Sequence, residues 1–515
     1  MPEPSTPILI GGGQFTQRTA REGKVAESLS PVAMMEKATL TALADAGHAG
    51  ALIKAIDTVS VVRFTMDSSD VGRVQPRQFR NPALSLAKRI GASPRRTIYT
   101  AVGGNTPQWL INRTAEEIAN GQSEVALLSG AEYLASALTA MKQGVALDWS
   151  ADADPGSDPE EIGEMRAGVN AYEKAYSLNF PVNVYPLFEN AIRGAKGRDV
   201  PTHLKAMGKL FSPFSKVASE NPYSWFPTFR SAEEIATPSE KNRFVGFPYT
   251  KYLNAVIEVD QAAALIMTSV AKARELGIPE SKWIYLHGCA DAAEIWNVTN
   301  RVNYYTSPAI RMIGKKAFAM AGLDVGDLTY IDLYSCFPSA VELACRELGI
   351  SEDDPRGLTI TGGLPYFGGA GNNYVMHSVA TMLDKLRARP GAFGLCTGNG
   401  WYVTKHSAGI YSTKPTEGPW KREDPKSYQK EIDAEAHPEV VEKPEGKAKI
   451  ETYTVVMDRK GQRFGIIVGR LENGKRFLAN TPDDDATLDW MMREEMLGKT
   501  GTVTTTEQNN LFRFG

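Results

Sequence analysis

Two stretches of this chain, 275 positions apart, follow one pattern. Leu43-Ala44-Asp45-Ala46-Gly47 precedes Ile56-Asp57 and the strand-like Thr58-Val59-Ser60-Val61-Val62. Phe318-Ala319-Met320-Ala321-Gly322 precedes Ile331-Asp332 and Leu333-Tyr334-Ser335-Cys336-Phe337, with the same nine-position step from glycine to Ile-Asp. The opening runs Ile8-Leu9-Ile10-Gly11 and Tyr285-Leu286-His287-Gly288 lie 277 apart, and the late strands 125–130 and 393–398 lie 268 apart. Offsets that drift this little indicate an internal duplication, the competing reading being chance likeness of two generic α/β segments. Each copy reads strand, helix closed by glycine, strand, glycine turn, helix, strand. Glycine after a helix takes the left-handed C-terminal position at no steric cost. Short apolar strands alternating with helices predict a mainly parallel sheet covered on both faces, an α/β architecture.

The glycine turn of the first copy is Thr100-Ala101-Val102-Gly103-Gly104-Asn105-Thr106-Pro107-Gln108, between the strand-like Thr97-Ile98-Tyr99 and a helix-like stretch to Ala119. A strand-turn-helix junction places a reactive side chain or a ligand at a helix N-terminus. This one holds no Cys, Ser, Asp, Glu or His. Its counterpart is Gly368-Gly369-Ala370-Gly371-Asn372-Asn373. Two turns without side chains predict bare backbone N–H groups, which favour an anion or a carbonyl oxygen; close packing is the equal alternative for the second turn.

Lys and Arg number 57 against 60 Asp and Glu, a net charge of −3, so nothing pulls the chain toward nucleic acid or an anionic membrane. Cys289, Cys336, Cys345 and Cys396 are scattered without a CxxC pair, so neither a zinc ribbon nor a disulfide framework is expected, and no metal or cofactor is assigned. The absence of a basic, apolar leader and of a long apolar run predicts a cytoplasmic protein that does not span a membrane.

The chain divides into an N-terminal half (1–137 and 252–270), an inserted loop domain (138–251), a C-terminal half (271–413), a linker (414–447) and a β-rich domain (448–515). The insertion is rich in aromatics and Pro, as in Tyr223-Ser224-Trp225-Phe226-Pro227, and reads as lids or binding loops. The linker is Pro-, Glu- and Lys-rich. The tail alternates over 448–457 and 462–471 around a hairpin turn at Asp458-Arg459-Lys460-Gly461. Asn473-Gly474 marks a second hairpin and 488–497 a short helix. A small barrel-like domain is expected there. Its mixed charge argues against nucleic-acid binding.

A duplicated α/β unit with an inserted loop region resembles the thiolase superfamily, and most closely its SCP2-thiolase branch and thiolase-like relatives. The residues that carry the likeness are Ile10-Gly11-Gly12-Gly13-Gln14-Phe15-Thr16, Leu128-Ser129-Gly130-Ala131-Glu132, Asp260-Gln261-Ala262-Ala263-Ala264, Asp332-Leu333-Tyr334-Ser335-Cys336-Phe337, Gly362-Gly363-Leu364-Pro365 and Cys396-Thr397-Gly398. The resemblance covers residues 5–412 and implies a duplicated, layered αβαβα fold. The β-rich tail looks like the extra C-terminal domain of some thiolase-like proteins. Thiolase chemistry uses a cysteine thiolate, two oxyanion holes, and a second cysteine with a histidine that move protons. Carried over by position, the nucleophile falls on Gly104 (Gly103 if the alignment slips by one) and the histidine on Gly369. The oxyanion-hole residue falls on Tyr334, and the second cysteine survives as Cys396.

The resemblance therefore implies a CoA or acyl-CoA ligand and little or no acyl transfer. Cys396 and Tyr334 are the catalytic candidates, each with a structural alternative as a buried hydrophobe or a satisfied phenol. Gly103, Gly104, Asn105, Gly368, Gly369, Asn372 and His377 are the candidate ligand-binding residues. His377, His287, His406 and Cys336 also read as structural. Two further functions are kept open: retro-aldol cleavage of a β-hydroxyacyl-CoA with Tyr334 as acid or base, and a non-catalytic scaffold that docks a protein partner through the C-terminal domain. Homodimerisation is a family expectation that the extra domain leaves open.

Overall fold

A computed structural model describes residues 2–68, 78–153, 155–458, 461–482 and 484–515. In the first half, β1 (Pro7–Thr16), β2 (Thr58–Val61), β3 (Arg96–Thr100), β4 (Val125–Tyr133) and a short β5 (Glu160–Ile162) are followed, after the insertion with β6 (Phe244–Gly246) and β7 (Tyr249–Thr250), by β8 (Asp260–Ser269). The second half supplies β9 (Ile284–Ala293), β10 (Leu328–Asp332), β11 (Phe393–Gly400) and β12 (Lys405–Ser412). All but β6 and β7 join one ten-stranded sheet in the order β10-β11-β12-β9-β1-β8-β4-β2-β3-β5. Reading outward from the β1–β9 junction, the halves mirror each other: β1-β8-β4-β2 against β9-β12-β11-β10.

The duplication is visible at atomic contacts. A Cβ on Gly11 of β1 would strike the Ala42 carbonyl and touch Ala46; a Cβ on Gly288 of β9 would strike the Ala317 carbonyl and touch Ala321. Both pairs of partners are 275 apart. Glycine is needed at each position because the helices Pro31–Ala46 and Pro308–Ala321 press directly on their strands. Each of these helices starts on a serine whose Oγ accepts a backbone N–H (Ala33 N at 3.0 Å from Ser30, Ile310 N at 3.2 Å from Ser307), followed by proline, and stops at a glycine. These helices cover the outer faces. The helices Thr106–Ala119 and Tyr374–Ala388 lie between the halves, the first packed on β11 and β12 and the second on β1 and β8. The result is the layered αβαβα arrangement.

β5 pairs in parallel with β3 (Ile98 opposite Glu160, Thr100 opposite Ile162), so β3 offers no open backbone edge to a second copy. The outer edge of β5 is three residues long and begins with two exposed glutamates, which discourages edge-to-edge pairing.

The inserted segment is not loop alone but carries two long helices. Its helices Pro181–Ala195 and Val200–Glu220 bury Tyr185, Phe188, Phe211 and Phe214 against the second half. The segment read as a linker is likewise folded. Trp420, Tyr428 and Ile432 are buried, Trp420 Nε1 donates to the Leu286 carbonyl at 2.8 Å, and Pro425–Asp433 is a helix. Its Pro- and charge-rich composition hid three apolar anchors.

The tail forms a closed five-stranded barrel. β13 (Gly446–Met457), β14 (Arg463–Leu471), β15 (Arg476–Asn480), β16 (Thr500–Thr505) and β17 (Asn510–Phe514) run β13-β14-β15-β17-β16 and back to β13. The helix Asp485–Arg493 sits between β15 and β16, and β15 pairs β17 in parallel. This is the strand order of an oligonucleotide/oligosaccharide-binding barrel. The β14–β15 hairpin turns at Gly474, whose φ is 83°. Of the turn expected at 458–461, Arg459 and Lys460 lie outside the described residues. The barrel is joined to the body by β6, which pairs with β13, and by Asn190, whose Nδ2 donates to the Tyr453 carbonyl at 2.9 Å. Among the described residues no helix is long and apolar enough to cross a membrane.

Candidate functional site

The turn after β3 crosses into the helix Thr106–Ala119 through Gly103, whose φ of 145° favours glycine. The Gly103 N–H is not bare. It donates to Asn372 Oδ1 at 2.8 Å, while Asn372 Nδ2 donates to the Arg63 carbonyl at 2.8 Å. The Gly369 N–H is also taken, by the Val256 carbonyl at 2.8 Å. The Gly103 and Gly369 N–H groups, expected to be bare, are therefore both taken, and Asn372 of the second turn binds the first. One asparagine side chain offers an acceptor and a donor together, and that lets it close both halves of the site.

Asn372 is fixed in turn by Glu132. Its backbone N–H donates to Glu132 Oε1 at 3.1 Å, and Thr65 adds its N–H at 3.0 Å and its hydroxyl at 2.7 Å. Complete burial pushes the Glu132 carboxyl up to about 8, against the pull of these donors.

The room above Gly104 is occupied. A Cβ there would collide with the Tyr334 hydroxyl and lie 2.5 Å from the Asn399 carbonyl. Tyr334 follows β10. Its N–H donates to Thr397 Oγ1 at 2.9 Å, and its ring meets Tyr374 edge-on at 5.8 Å. Burial holds the phenol well above its usual range, with Cys336 and Tyr374 adding to the effect. The room above Gly103 is occupied as well, by Asn105 Oδ1 at 2.7 Å and Lys405 Nζ at 2.9 Å from a would-be Cβ. Lys405 opens β12 and donates to the Val102 carbonyl. Burial pushes its ammonium down to about 8, opposed by the charge of Glu164. Asn105 Nδ2 donates to Ser407 Oγ at 3.1 Å, and its buried Oδ1 has no hydrogen-bond partner among the described residues.

The structure thus brings Gly103, Gly104, Asn105, Asn372 and Tyr334 together, and adds Lys405 and Asn399. The remaining candidates have other partners. Gly368 (φ 121°) packs under Gln261 and Trp225. Cys396 is fully buried in β11 beside Asp332 of β10; burial first, then that carboxylate, raise its thiol well above the usual range. A thiol held protonated is a poor nucleophile and base. His377 sits in the core with Nδ1 2.9 Å from Gln14 Oε1 and its ring on Phe367; burial pushes its imidazole down to about 3, so it is neutral. His406 is likewise buried and pushed down to about 3, and His287 Nε2 lies 2.8 Å from the Lys414 carbonyl.

Sequence reasoning missed Lys405. A signal existed: it is the one charged residue of Lys405–Ser412, a strand whose every position is buried. One set with metal-ligand donors occurs among the described residues, Glu189, His203 and Glu342, away from the turn. Its members are already paired: His203 Nε2 with Glu189 at 2.5 Å, Tyr249 Oη to Glu189 at 2.6 Å, and Lys196 Nζ to Glu342 at 2.9 Å. A separate cleft of about 1110 Å³ lies on the barrel between Lys447, Lys449, Arg470 and Thr502.

Residues 427–508 match the family described as "Thiolase-like protein type 1 additional C-terminal domain", which agrees with the barrel. Over its whole length the chain aligns with a solved structure, a monomeric SCP2-thiolase like protein type 1 from Mycobacterium smegmatis, at 36% identity with a TM-score of 0.84, covering 100% of both chains. The chain belongs to the SCP2-thiolase-like proteins of type 1. More distant relatives of this thiolase-like protein are named for chemistry on CoA thioesters. An acetyl-CoA acetyltransferase of Schizosaccharomyces pombe is 23% identical over 370 residues, 67% of this chain and 88% of the relative. A 17-hydroxy-3-oxo-4-pregnene-20-carboxyl-CoA lyase of Mycobacterium tuberculosis is 23% identical over 353 residues, 66% of this chain and 78% of the relative.

Proposed function

We propose that this thiolase-like protein binds CoA thioesters at the Gly103–Gly104 turn and does not transfer acyl groups through a cysteine. The observation that carries the lack of acyl transfer is the Tyr334 hydroxyl beside Gly104, the position to which the resemblance assigns a thiolate. Two further facts support it. Cys396, to which the resemblance assigns the second cysteine, is buried with its thiol pushed up, and His377 is a neutral core residue. Without a thiolate and its proton-transfer partner the acyl-enzyme route loses groups that each contribute on the order of 10²-fold or more. Calorimetry with CoA and acetoacetyl-CoA, run beside a thiolysis assay, tests the reading. Saturable binding with no thiolysis is expected; absence of binding by either ligand sinks it.

A second reading has its own support. Tyr334 is an O–H donor at the turn, and one relative is named as a lyase acting on a CoA thioester. Retro-aldol cleavage of a β-hydroxyacyl-CoA needs no cysteine: the β-hydroxyl loses its proton, the Cα–Cβ bond breaks, and the electron pair is held as the thioester enolate until Cα is protonated. Turnover of a β-hydroxyacyl-CoA that is unchanged in Tyr334→Phe would remove Tyr334 from that scheme.

A further inference from the structure

We propose that the ε-amino group of Lys405 is the nucleophile of this site and adds to the ketone carbonyl of a β-ketoacyl thioester, forming a reversible iminium. The inference rests on the CoA-thioester reading above and adds a covalent partner to it.

The geometry begins with two absent side chains. A Cβ on Gly103 would sit 2.9 Å from both Cε and Nζ of Lys405, and a Cβ on Gly400 would sit 3.3 Å from Cε. Glycine at both positions gives the lysine a channel onto the turn. The amine ends on the Val102 carbonyl, within the turn itself. Buried lysines are rare and ordinarily pair with a carboxylate. Here the acceptor is the neutral Val102 carbonyl, and the carboxylate that acts on the amine is Glu164, on an exposed segment. The start of the helix Thr106–Ala119 faces the same space, and its positive end disfavours a second positive charge. Burial moves the ammonium down to about 8, so neutral amine is present in slightly alkaline solution. Desolvation of this kind makes a lysine a carbonyl nucleophile.

The step balances without a co-reactant. The nitrogen lone pair forms a C–N bond to the ketone carbon, and the carbonyl π pair moves to oxygen. That oxygen takes two protons, one passed from the nitrogen that has just added and one from an acid, for which the Tyr334 hydroxyl beside Gly104 is a placed O–H donor. It then leaves as water while the remaining nitrogen lone pair forms the C=N bond of the iminium; the return of water, with the same two protons going back, releases the ketone and the amine. Attack on the thioester carbonyl instead would expel CoA thiol and leave a stable amide.

The test uses the full-length protein with acetoacetyl-CoA and sodium cyanoborohydride in slightly alkaline buffer, followed by peptide mass mapping. A hydride-dependent adduct on Lys405, absent from Lys405→Arg, is expected; arginine keeps the charge and cannot form the imine. The wild-type map locates the adduct even if the variant folds poorly. Acetoacetyl-CoA binding by calorimetry without such an adduct overturns the lysine inference and leaves the thioester reading standing. An adduct that forms without hydride is an amide and also overturns it, as does labelling spread over surface lysines and unchanged in Lys405→Arg. Labelling of Lys405 by acetylacetone in a protein that binds no CoA thioester would sink the thioester reading alone, and no labelling by either ketone sinks the nucleophile.

Discussion

The Tyr334 hydroxyl fills the space beside Gly104: the phenol from the second half stands where a side chain from the first would project. The Asn399 carbonyl closes the same space from β11. Placing a cysteine at the turn is therefore a packing problem before it is a chemical one. Gly104→Cys is expected to destabilise the fold by about 1–3 kcal/mol through overpacking and to show no thiolysis. Denaturant melts read the first and release of acetyl-CoA from acetoacetyl-CoA reads the second. Shortening the phenol in Gly104→Cys/Tyr334→Ala should recover part of the lost stability. A double variant no more stable than the single one would mean that Asn399, not Tyr334, sets the limit.

Asn372 ties the two glycine turns, and its removal leaves the Gly103 N–H and the Arg63 carbonyl without their partner. A buried polar group left unpaired costs about 1–3 kcal/mol. Asn372→Ala should lose stability in that range, with amide exchange at Gly103 rising. Asn372→Asp keeps the acceptor for Gly103 and, while its carboxyl is protonated at low pH, offers an O–H to the Arg63 carbonyl; as the carboxyl ionises that donor is lost, so the variant should lie near wild type at low pH and fall toward alanine as pH rises.

Glu132 gives the site a pH signature. Its folded carboxyl titrates at about 8 against a reference of 4.5, because burial disfavours the anion. A raised folded value means the unfolded chain releases this proton first. Its contribution to stability is whole below about 4.5 and declines as pH rises to about 8, then stays at its lowest. Three donors converge on Oε1, a role the amide oxygen of glutamine can fill. Glu132→Gln should therefore flatten the fall in unfolding free energy across that window and leave the variant the more stable of the two in alkaline buffer. Parallel slopes for the two proteins would contradict this.

Much of the architecture was legible because the repeat is written in packing residues. Gly11 and Gly288, with Ala42 and Ala317 behind them, record the same strand-on-helix contact twice, and the Ser-Pro starts of both helices repeat with them. The candidate site was only half legible. A turn without a reactive side chain at Gly103-Gly104 could be read, since such a composition shows in sequence; what fills the space beside it could not. Tyr334 and Lys405 lie 230 and 301 positions downstream, and no local pattern links them to the turn. The two folded segments taken for loop or linker hid for a related reason. Trp420 and Tyr428 are single anchors in polar sequence, and it is tertiary burial that makes a helix of 425–433.

Two buried arginines tie the barrel to the body, Arg193, which pairs with Glu495, and Arg476. Arg476 of β15 is fully buried and donates to Glu451 of β13 at 2.6 and 2.8 Å, to the Thr299 carbonyl at 2.8 Å and to the Arg301 carbonyl, with the Tyr304 ring 4.9 Å from its guanidinium carbon. Thr299, Arg301 and Tyr304 belong to the second thiolase half, so one guanidinium bridges barrel and body. Removing one partner of such a buried charged set costs about 3–5 kcal/mol, because the groups left behind are not rehydrated. Glu451 keeps Arg470, but the two carbonyls lose their donor. Arg476→Met is therefore expected to lower stability by that amount and to separate the melt of the barrel from that of the body, with proteolysis appearing between Asp433 and Gly446. Arg476→Lys keeps the charge, loses the planar fork and should fall between the two. A single cooperative melt in Arg476→Met, with no new cleavage in that stretch, would show that the other links, among them β6–β13 pairing, Asn190 and the Arg193–Glu495 pair, hold the barrel without it.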